Sequence, residues 1–238
     1  MKKAGELGLL GISVPEEYGG MGMPFNTSAL ICDKISGANG SFSTAFGAHT
    51  GIGTLPILLY GDGEQRKKYL PKLATGEWMS CYCLTEPGAG SDANSGKTTA
   101  VLTEDGKHYL ITGQKMWISN AGFADVFIVF ARIEDDKNIT GFILEKGMEG
   151  ITLGEEEHKL GLHSSSTRQV FFNEVKVPAE SLLGGRGNGF KIAMNALNVG
   201  RIKLSAAILD ACRRVIGLSA NYANERVQFG NPIAKFGA

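Results

Sequence analysis

The sequence predicts an α+β protein of several domains, because the spacing of its apolar residues changes twice along the chain. An N-terminal helical domain (1–77) is followed by a central, barrel-like antiparallel β-domain (78–185) and by the start of a C-terminal helical bundle (186–238). At Trp78 helical spacing gives way to alternation, and past Gly189 helical spacing returns. No helical stretch separates the predicted strands, so a parallel sheet of βαβ units is not expected.

Helices joined by glycine-rich segments are expected in the N-terminal domain. Residues 28–36 keep one apolar helical face. The small, apolar run 41–60 is typical of a tightly packed helix pair, although Pro56 should interrupt it. Asp62 is predicted to cap a helix over 64–73.

Seven strands are predicted in the central domain. Asp105-Gly106, between two apolar runs, is a strong signal for a hairpin turn. Short alternating segments with turn residues between them are typical of a compact antiparallel sheet or barrel. The strands are expected at 79–84, 97–103, 108–112, 114–119, 125–132, 139–145 and 168–177.

One long helix is predicted towards the C-terminal end. Apolar residues three and four apart run from Arg201 to about Arg226, and the segment 229–232 is a typical stop. A single amphipathic helix needs partners for its apolar stripe, and no further helical pattern follows this one. Either other chains supply the neighbouring helices, or the chain is truncated at its C-terminus, and we expect the second.

Composition and charge exclude several classes of function. Lys plus Arg and Asp plus Glu number 24 each, so no net charge points to nucleic acid or a membrane surface. We expect no transmembrane segment, because the apolar runs are too short. We expect no signal peptide either, because glycine and Glu6 follow the basic N-terminus before any continuous apolar region. The 4 cysteines form no paired CxxC set, which favours reduced thiols in a cytoplasmic compartment.

Common motifs of other enzyme classes are missing from the sequence. No GxGxxG stands between a strand and a helix, and neither a GxxxxGK[ST] phosphate loop nor a GxSxG nucleophile turn occurs. The 4 histidines lack the spacing of metal ligands, so no metal site is expected. Neither a hydrolase nor a metalloenzyme is supported.

The most informative segment is 82–92, where a predicted strand runs into a turn rich in Gly, Pro, Ser and Thr. Gly88 and Gly90 permit positive φ angles and a close approach of a ligand to the backbone. Successive N–H groups in such a turn can bind an anion, with the hydroxyls of Thr85 and Ser91 beside it. An ordinary polar β-turn is the alternative.

Six segments of the chain resemble, in the same order, those of the acyl-CoA dehydrogenase family. The resemblance implies a helical domain, a β-domain that binds FAD, and a second helical bundle. It also implies removal of a proton α to the thioester of an acyl-CoA and transfer of a hydride from the β-carbon to N5 of FAD. The segments are LLGISVPEEYGG at 9–20, QRKKYLPKLATGE at 65–77, YCLTEPGAGSD at 82–92, GQKMWISN at 113–120, VKVP at 175–178 and ERVQFG at 225–230.

The resemblance also assigns contacts with the flavin. Leu84 and Thr85 should offer a backbone N–H and a hydroxyl to the ring edge that becomes negative on reduction. Trp117 should flank the ring, where the alternative is a tryptophan that covers the core. Arg226 and Gln228 resemble residues that reach the FAD of a neighbouring subunit, which implies a homo-oligomer, either a dimer or a tetramer. The remaining contacts are Tyr82 at the ring, Ser119 near N5, and Gly90 and Ser91 near the pyrophosphate.

Substrate contacts are implied for Ser91, Asn198 and Arg201. Some branches of the family place the catalytic glutamate just before this arginine, but Gly200 stands there. In most others the glutamate lies downstream in a Tyr-Glu-Gly-Thr motif, which this sequence does not contain, so no catalytic base is assigned. The segment 196–201 resembles the very-long-chain branch, which implies long acyl groups.

The family further implies an electron-transferring flavoprotein as electron acceptor, and a place in the bacterial cytoplasm or an organelle matrix rather than secretion. Two other functions stay open. Gly200 and the missing base are compatible with a non-catalytic binding or assembly module of the same fold. A flavin acyl-CoA oxidase is the other alternative, because no residue decides how oxygen would reach the reduced flavin.

Overall fold

In the computed structural model, which describes residues 1–237, the N-terminal part is helical as predicted. Asp62 caps the last of these helices, also as predicted: its side chain accepts the N–H of Gln65 at 2.8 Å, and the Gln65 side chain accepts the N–H of Asp62. The helices are α1 (Lys2–Glu6), α2 (Phe25–Ala38), α3 (Gly40–Gly47), α4 (Leu55–Tyr60) and α5 (Gly63–Thr75), with a π-helical turn at Ala48–Gly53.

The helical run 41–60 is interrupted just before Pro56, since the π-helical turn ends at Gly53 and α4 begins at Leu55. Pro56 stands in the first turn of α4, where a proline has no intrahelical hydrogen bond to lose. The helix pair predicted for 41–60 is therefore α3 and α4, and the π-helical turn between them makes the connection.

The central part is a sheet of eight strands, confirming a largely antiparallel β-domain. The strands are β1 (Ser80–Cys83), β2 (Thr99–Leu102), β3 (His108–Ser119), β4 (Val126–Ile133), β5 (Thr140–Glu145), β6 (Ile151–Glu156), β7 (Thr167–Pro178) and β8 (Leu182–Leu183). Their order is β6-β7-β3-β2-β4-β5-β8, and β1 also pairs with β4. The sheet is mixed, because β1 and β2 both run parallel to β4 while the other pairs are antiparallel.

Two details of the predicted strands are wrong. The break expected at Gly113 is absent, since β3 continues through it with a shift of register against β7. A glycine is required there because a Cβ would lie 2.5 Å from Oγ1 of Thr98. The strands β6 and β8 were not predicted: β6 is largely exposed and β8 has 2 residues, so neither shows a clear alternation.

Strand β4 contributes to two hydrophobic cores at once. Val126, Ile128 and Phe130 pack with residues of α5 and α6 (Gly189–Ala207). Residues of the opposite face, beginning with Phe127, join β3 and β7 in a second core within the sheet. Alternation along the strand assigns successive side chains to the two cores, which ties the helices to the sheet.

The predicted single helix from Arg201 to Arg226 is wrong in both extent and continuity. Helix α6 already begins at Gly189, and a break at Ile208 separates it from α7 (Leu209–Glu225). Two short strands follow, β9 (Val227–Gln228) and β10 (Asn231–Pro232). None of the residues of α7 is buried, so its apolar side chains are open to solvent.

By length and composition alone, the helical stretch Gly189–Glu225 is able to cross a membrane. The same criterion is met by core helices of globular proteins, and α6 buries Ile192, Ala193 and Ala196 in the core that it shares with the sheet. The absence of a transmembrane segment remains a prediction.

Candidate active site

Trp117 lies on a β-bulge that turns its side chain outwards. Lys115 pairs with Val170 and Ile118 with Arg168, so three steps along β3 match two along β7. At the bulge Trp117 has a φ of 57°, and its side chain is 61% exposed. A left-handed backbone costs a bulky residue about 1–3 kcal/mol and is typical of functional sites. The alternative of a tryptophan that covers the core does not hold.

The turn after β1 lies beside this bulge. The N–H of Met116 donates to the carbonyl of Thr85 at 2.8 Å, so Thr85 lies beside the residue that precedes Trp117. Leu84 is buried in the core between helices and sheet. The Tyr82 hydroxyl donates to the carbonyl of Ala193 in α6 at 3.2 Å, which leaves this tyrosine little surface for a ligand. The turn is thereby tied to both β3 and α6.

A buried ion pair, which the sequence analysis missed, holds the same two segments together. Nζ of Lys115 lies 2.6 Å from Oε1 of Glu86, and both side chains are less than a tenth exposed. Glu86 also accepts the N–H groups of Lys97 and Thr98, while Nζ donates to the carbonyl of Leu84. Burial alone would raise the pKa of Glu86, but Lys115 and these donors hold it below its usual value.

A signal for this pair is present in the sequence. Glu86 is the single charged residue of 78–91, and Lys115 is the single charged residue of 109–123. One charge in each of two otherwise uncharged segments is typical of buried partners, because a buried charge needs a counter-ion.

The two glycines of the turn do not use the positive φ angles that a glycine permits. Neither Gly88 nor Gly90 has a positive φ, and Glu86 and Ala89 close the turn with reciprocal backbone hydrogen bonds of 3.0 and 3.1 Å. A Cβ added at either glycine would meet no atom of residues 1–237 within 4 Å. The free space lies against the backbone, next to the exposed Ser91.

A cavity of about 310 Å³ begins where β3 ends and extends between the helices. Ser119 of β3 lines it together with Gly200 and Arg201 of α6, and Nη1 of Arg201 donates to Oδ1 of Asn198 at 2.8 Å. The structure thus brings three of the implied residues, Ser119, Asn198 and Arg201, to one place. The remaining lining comes from Cys32, Ser43, Thr44, Gly47, Ala48, Ile52, Leu197, Lys203, Leu204 and Ala207.

Lys203 is a second feature that the sequence analysis missed. Its side chain lines the cavity and is only 4% exposed, and Nζ has no hydrogen-bond partner within residues 1–237. Burial lowers the pKa of its ammonium group. The signal in the sequence is a lysine three residues after Gly200 and four before Ala207, on the face of α6 that packs inwards.

Arg226 and Gln228 do not belong to the lining of this cavity. They lie just beyond α7 in the exposed hairpin of β9 and β10. Phe229 at the tip of that hairpin has a φ of 50° and is 94% exposed. The hairpin therefore presents all three side chains to solvent.

Three family models match successive parts of the chain. The acyl-CoA dehydrogenase N-terminal domain matches residues 1–77, the middle domain residues 81–175, and the C-terminal domain residues 187–238. The three matches follow the same order as the helices and strands of the structure.

Named relatives and solved structures agree with the family models. A probable acyl-CoA dehydrogenase of Bacillus subtilis is 56% identical over 99% of this chain, which covers 39% of that protein. The human very long-chain specific acyl-CoA dehydrogenase, a mitochondrial protein, is 44% identical over 98% of the chain and 37% of its own length. A crystal structure of an acyl-CoA dehydrogenase complexed with FAD, from Bacillus anthracis, superposes with a TM-score of 0.95 at 52% identity, covering 99% of this chain and 40% of that one. The chain therefore spans about two-fifths of the length of these relatives.

Proposed function

The chain belongs to the acyl-CoA dehydrogenase family, and from this premise we propose that the protein oxidises the Cα–Cβ bond of an acyl-CoA thioester with FAD as the hydride acceptor. One observation carries the proposal. The exposed Trp117 and the cavity residue Ser119 stand two residues apart at the end of β3, so a surface for a flat ring adjoins a cavity for a chain. A flavin and an acyl group need this adjacency, because the hydride passes directly between them.

The residues beside the bulge suit a flavin. When bound, FAD supplies the hydride acceptor that no side chain provides. Trp117 would flank its ring, and the Thr85 hydroxyl and Leu84 N–H would donate to the edge that gains charge. The free space at Gly88 and Gly90 supports a close approach of the pyrophosphate there, because the fold itself places no demand on either glycine.

Removal of the α-proton needs a carboxylate near the thioester. No Asp or Glu lines the cavity among residues 1–237, and Gly200 occupies the place where some branches carry a glutamate. We assign no residue of this chain as the base and propose that a carboxylate outside these 238 residues supplies it. Arg201 and Asn198, which already share a hydrogen bond, would hold the substrate beside the reacting carbons.

The finer parts of the proposal rest on the relatives. A long acyl chain is supported by 44% identity with a very long-chain specific enzyme, against 40% with a short-chain specific enzyme of Clostridium acetobutylicum. An electron-transferring flavoprotein would then accept the electrons, and the cytoplasm or an organelle matrix would be the compartment. The exposed hairpin with Arg226 and Gln228 suits a contact with the FAD of a second subunit in a dimer or tetramer. The proposed domains are 1–77, 78–185 and 186–238.

The test is anaerobic titration of the full-length protein, loaded with FAD, with butanoyl-, octanoyl- and hexadecanoyl-CoA. We expect loss of the visible flavin absorbance with at least one ester, and slow return of the colour in air. Rapid return in air would identify an oxidase instead. Retained FAD that no ester reduces would contradict the proposal and favour a non-catalytic binding module.

A further inference from the structure

A buried lysine without a hydrogen-bond partner lowers the stability of a protein, and Lys203 is such a residue. Its Nζ is shielded from solvent and has no hydrogen-bond partner among residues 1–237, while the ring centroid of Phe25 lies 6.0 Å away. A charged amine out of water costs several kcal/mol unless an anion compensates it. An apolar residue would serve better at this position if the cavity received only hydrocarbon.

The charge of the cavity lining is one-sided. Arg201 and Lys203 both line it, and no Asp or Glu does so among residues 1–237. Arg201 is exposed and bonded to Asn198, whereas Lys203 lies deeper. The two carboxylates at the junction of α2 and α7 have other partners: Asp33 binds Arg213, and Asp210 binds Lys34. The chain's own nearby acids therefore leave Lys203 uncompensated.

Other polar groups at this end of the cavity are neutral. The hydroxyls of Ser43 and Thr44 and the buried thiol of Cys32 line the space that Lys203 also lines. Lys203 follows Gly200 by about one turn of α6, or about 5 Å along the helix. A substrate whose thioester lies beside Gly200 would therefore bring a later part of its acyl chain to the amine.

We propose that Lys203 binds a carboxylate carried on the acyl chain, so that the protein accepts as substrates dicarboxylic acids with one carboxyl group joined to CoA as a thioester. This inference rests on the proposed function and names the substrate class of the same cavity. The bound carboxylate would supply the missing counter-ion of Lys203, and the buried charge would then favour the acidic chain over a methyl-ended chain of equal length.

The experiment compares two ligands that differ only at the end of the chain. Pentanedioyl-, octanedioyl- and dodecanedioyl-CoA are paired with their methyl-ended counterparts, each with sulfur in place of C3 so that it is not oxidised. Calorimetry on the FAD-loaded, full-length protein measures Kd for each. We expect the acidic ligand to bind at least about tenfold more tightly at one chain length, which corresponds to about 1.4 kcal/mol.

Variants then assign the preference to the amine. In Lys203→Met the two affinities should become equal to within about twofold, and in Lys203→Arg the preference should persist because the charge is retained. Lys191→Met is the matched control, since Lys191 is an exposed lysine on the same helix, and its preference should equal that of the wild type.

Equal affinities for both ligands at every length in the wild type would overturn the inference without any variant. A preference that survives in Lys203→Met would overturn it as well. These failures differ from a failure of the proposed function: if hexadecanoyl-CoA still reduces the flavin, only the role of Lys203 is wrong, whereas no reduction by either class of ester contradicts the dehydrogenase itself.

Discussion

Individual residues of the site are held in arrangements that do not favour stability. Trp117 combines a left-handed backbone with an exposed indole, and Lys203 has a buried amine without a partner. Glu86 and Lys115 place two charges in the interior, where their attraction must offset the loss of hydration. Such features persist where a ligand or the chemistry requires them. They cluster around the turn after β1, the bulge of β3 and the cavity.

Thr85→Ala tests the flavin contact. The substitution removes a hydroxyl donor at the ring edge that gains negative charge, so we expect about a tenfold loss of FAD affinity or an equivalent slowing of flavin reduction. Fluorescence titration with FAD and rapid-mixing kinetics on the full-length protein measure both. Thr152→Ala on the exposed strand β6 is the control. If affinity and rate both match the wild type, Thr85 has no such role.

Lys115→Met tests the buried ion pair. It leaves the Glu86 carboxylate buried without its counter-ion, so we expect a loss of about 3–5 kcal/mol in the free energy of unfolding. Denaturant unfolding followed by circular dichroism measures it. The control Lys67→Met breaks the exposed pair between Lys67 and Glu64 and should change stability little. A loss in Lys115→Met no larger than in the control would show that the buried pair is not needed.

Among the secondary-structure elements, α2 stabilises the junction between α6 and α7 through hydrogen bonds. Oδ1 of Asp33 accepts the N–H of Asp210 at 2.7 Å, in the first turn of α7 just after the break at Ile208. The same carboxylate binds Arg213, and Arg214 donates to the carbonyl of Gly37 at the end of α2. The acceptor for a free N–H at the start of α7 thus comes from another helix.

Asp33→Ala should loosen this junction. Losing the cap and the partner of Arg213 should lower the free energy of unfolding by about 1–3 kcal/mol. Hydrogen exchange should become faster in the first turn of α7, and mass spectrometry of peptides from that turn measures it. Asp135→Ala, at an exposed aspartate, serves as the control. Unchanged exchange at α7 would mean that Asp33 does not hold the junction.

Across the whole molecule, His49 joins the N-terminal helices to the sheet. Its Nε2 donates to the carbonyl of Leu73 in α5 at 2.9 Å, and its Nδ1 accepts the N–H of Ser80 in β1 at 3.1 Å. These two bonds require the neutral ring, because a protonated ring has no acceptor. Burial lowers the pKa of His49 from 6.5 to about 4. Protonation of His49 at low pH should therefore weaken the contact between the N-terminal helices and the sheet.

The stability of the protein should fall as the pH drops from about 6.5 to about 4. In this window the unfolded chain binds a proton at residue 49 while the folded protein does not, and the full effect is about 3 kcal/mol. Urea unfolding at several pH values measures it. In His49→Gln the decline should be smaller by this amount, while in His158→Gln, at an exposed histidine, it should match the wild type. An equally steep decline in His49→Gln would contradict the assignment.

Local patterns in the sequence are sufficient to predict that a helical part, a sheet and a second helical part follow one another. Short sequence motifs are sufficient to identify the family. Apolar spacing reports on neighbouring residues, and the turn chemistry of 82–92 and the cap at Asp62 are contained in a few positions. The same patterns misjudged Gly113, because β3 continues through it and Thr98, which is distant in the sequence, leaves no room for a side chain there.

The buried charges, the exposed indole and the cavity depend on contacts between residues that are distant in the sequence. Glu86 and Lys115 are 29 residues apart, and Asp33 and Asp210 are 177 apart. The uncharged surroundings of Glu86 and Lys115 in the sequence indicate that each is buried, but no local pattern tells which residues pair. The bulge that exposes Trp117 exists only because β3 pairs with β7. Lys203 lines the cavity only because α6 packs beside α2 and α3. The amino-acid order thus specifies which elements form, whereas the buried charges and the exposed indole arise from how those elements pack.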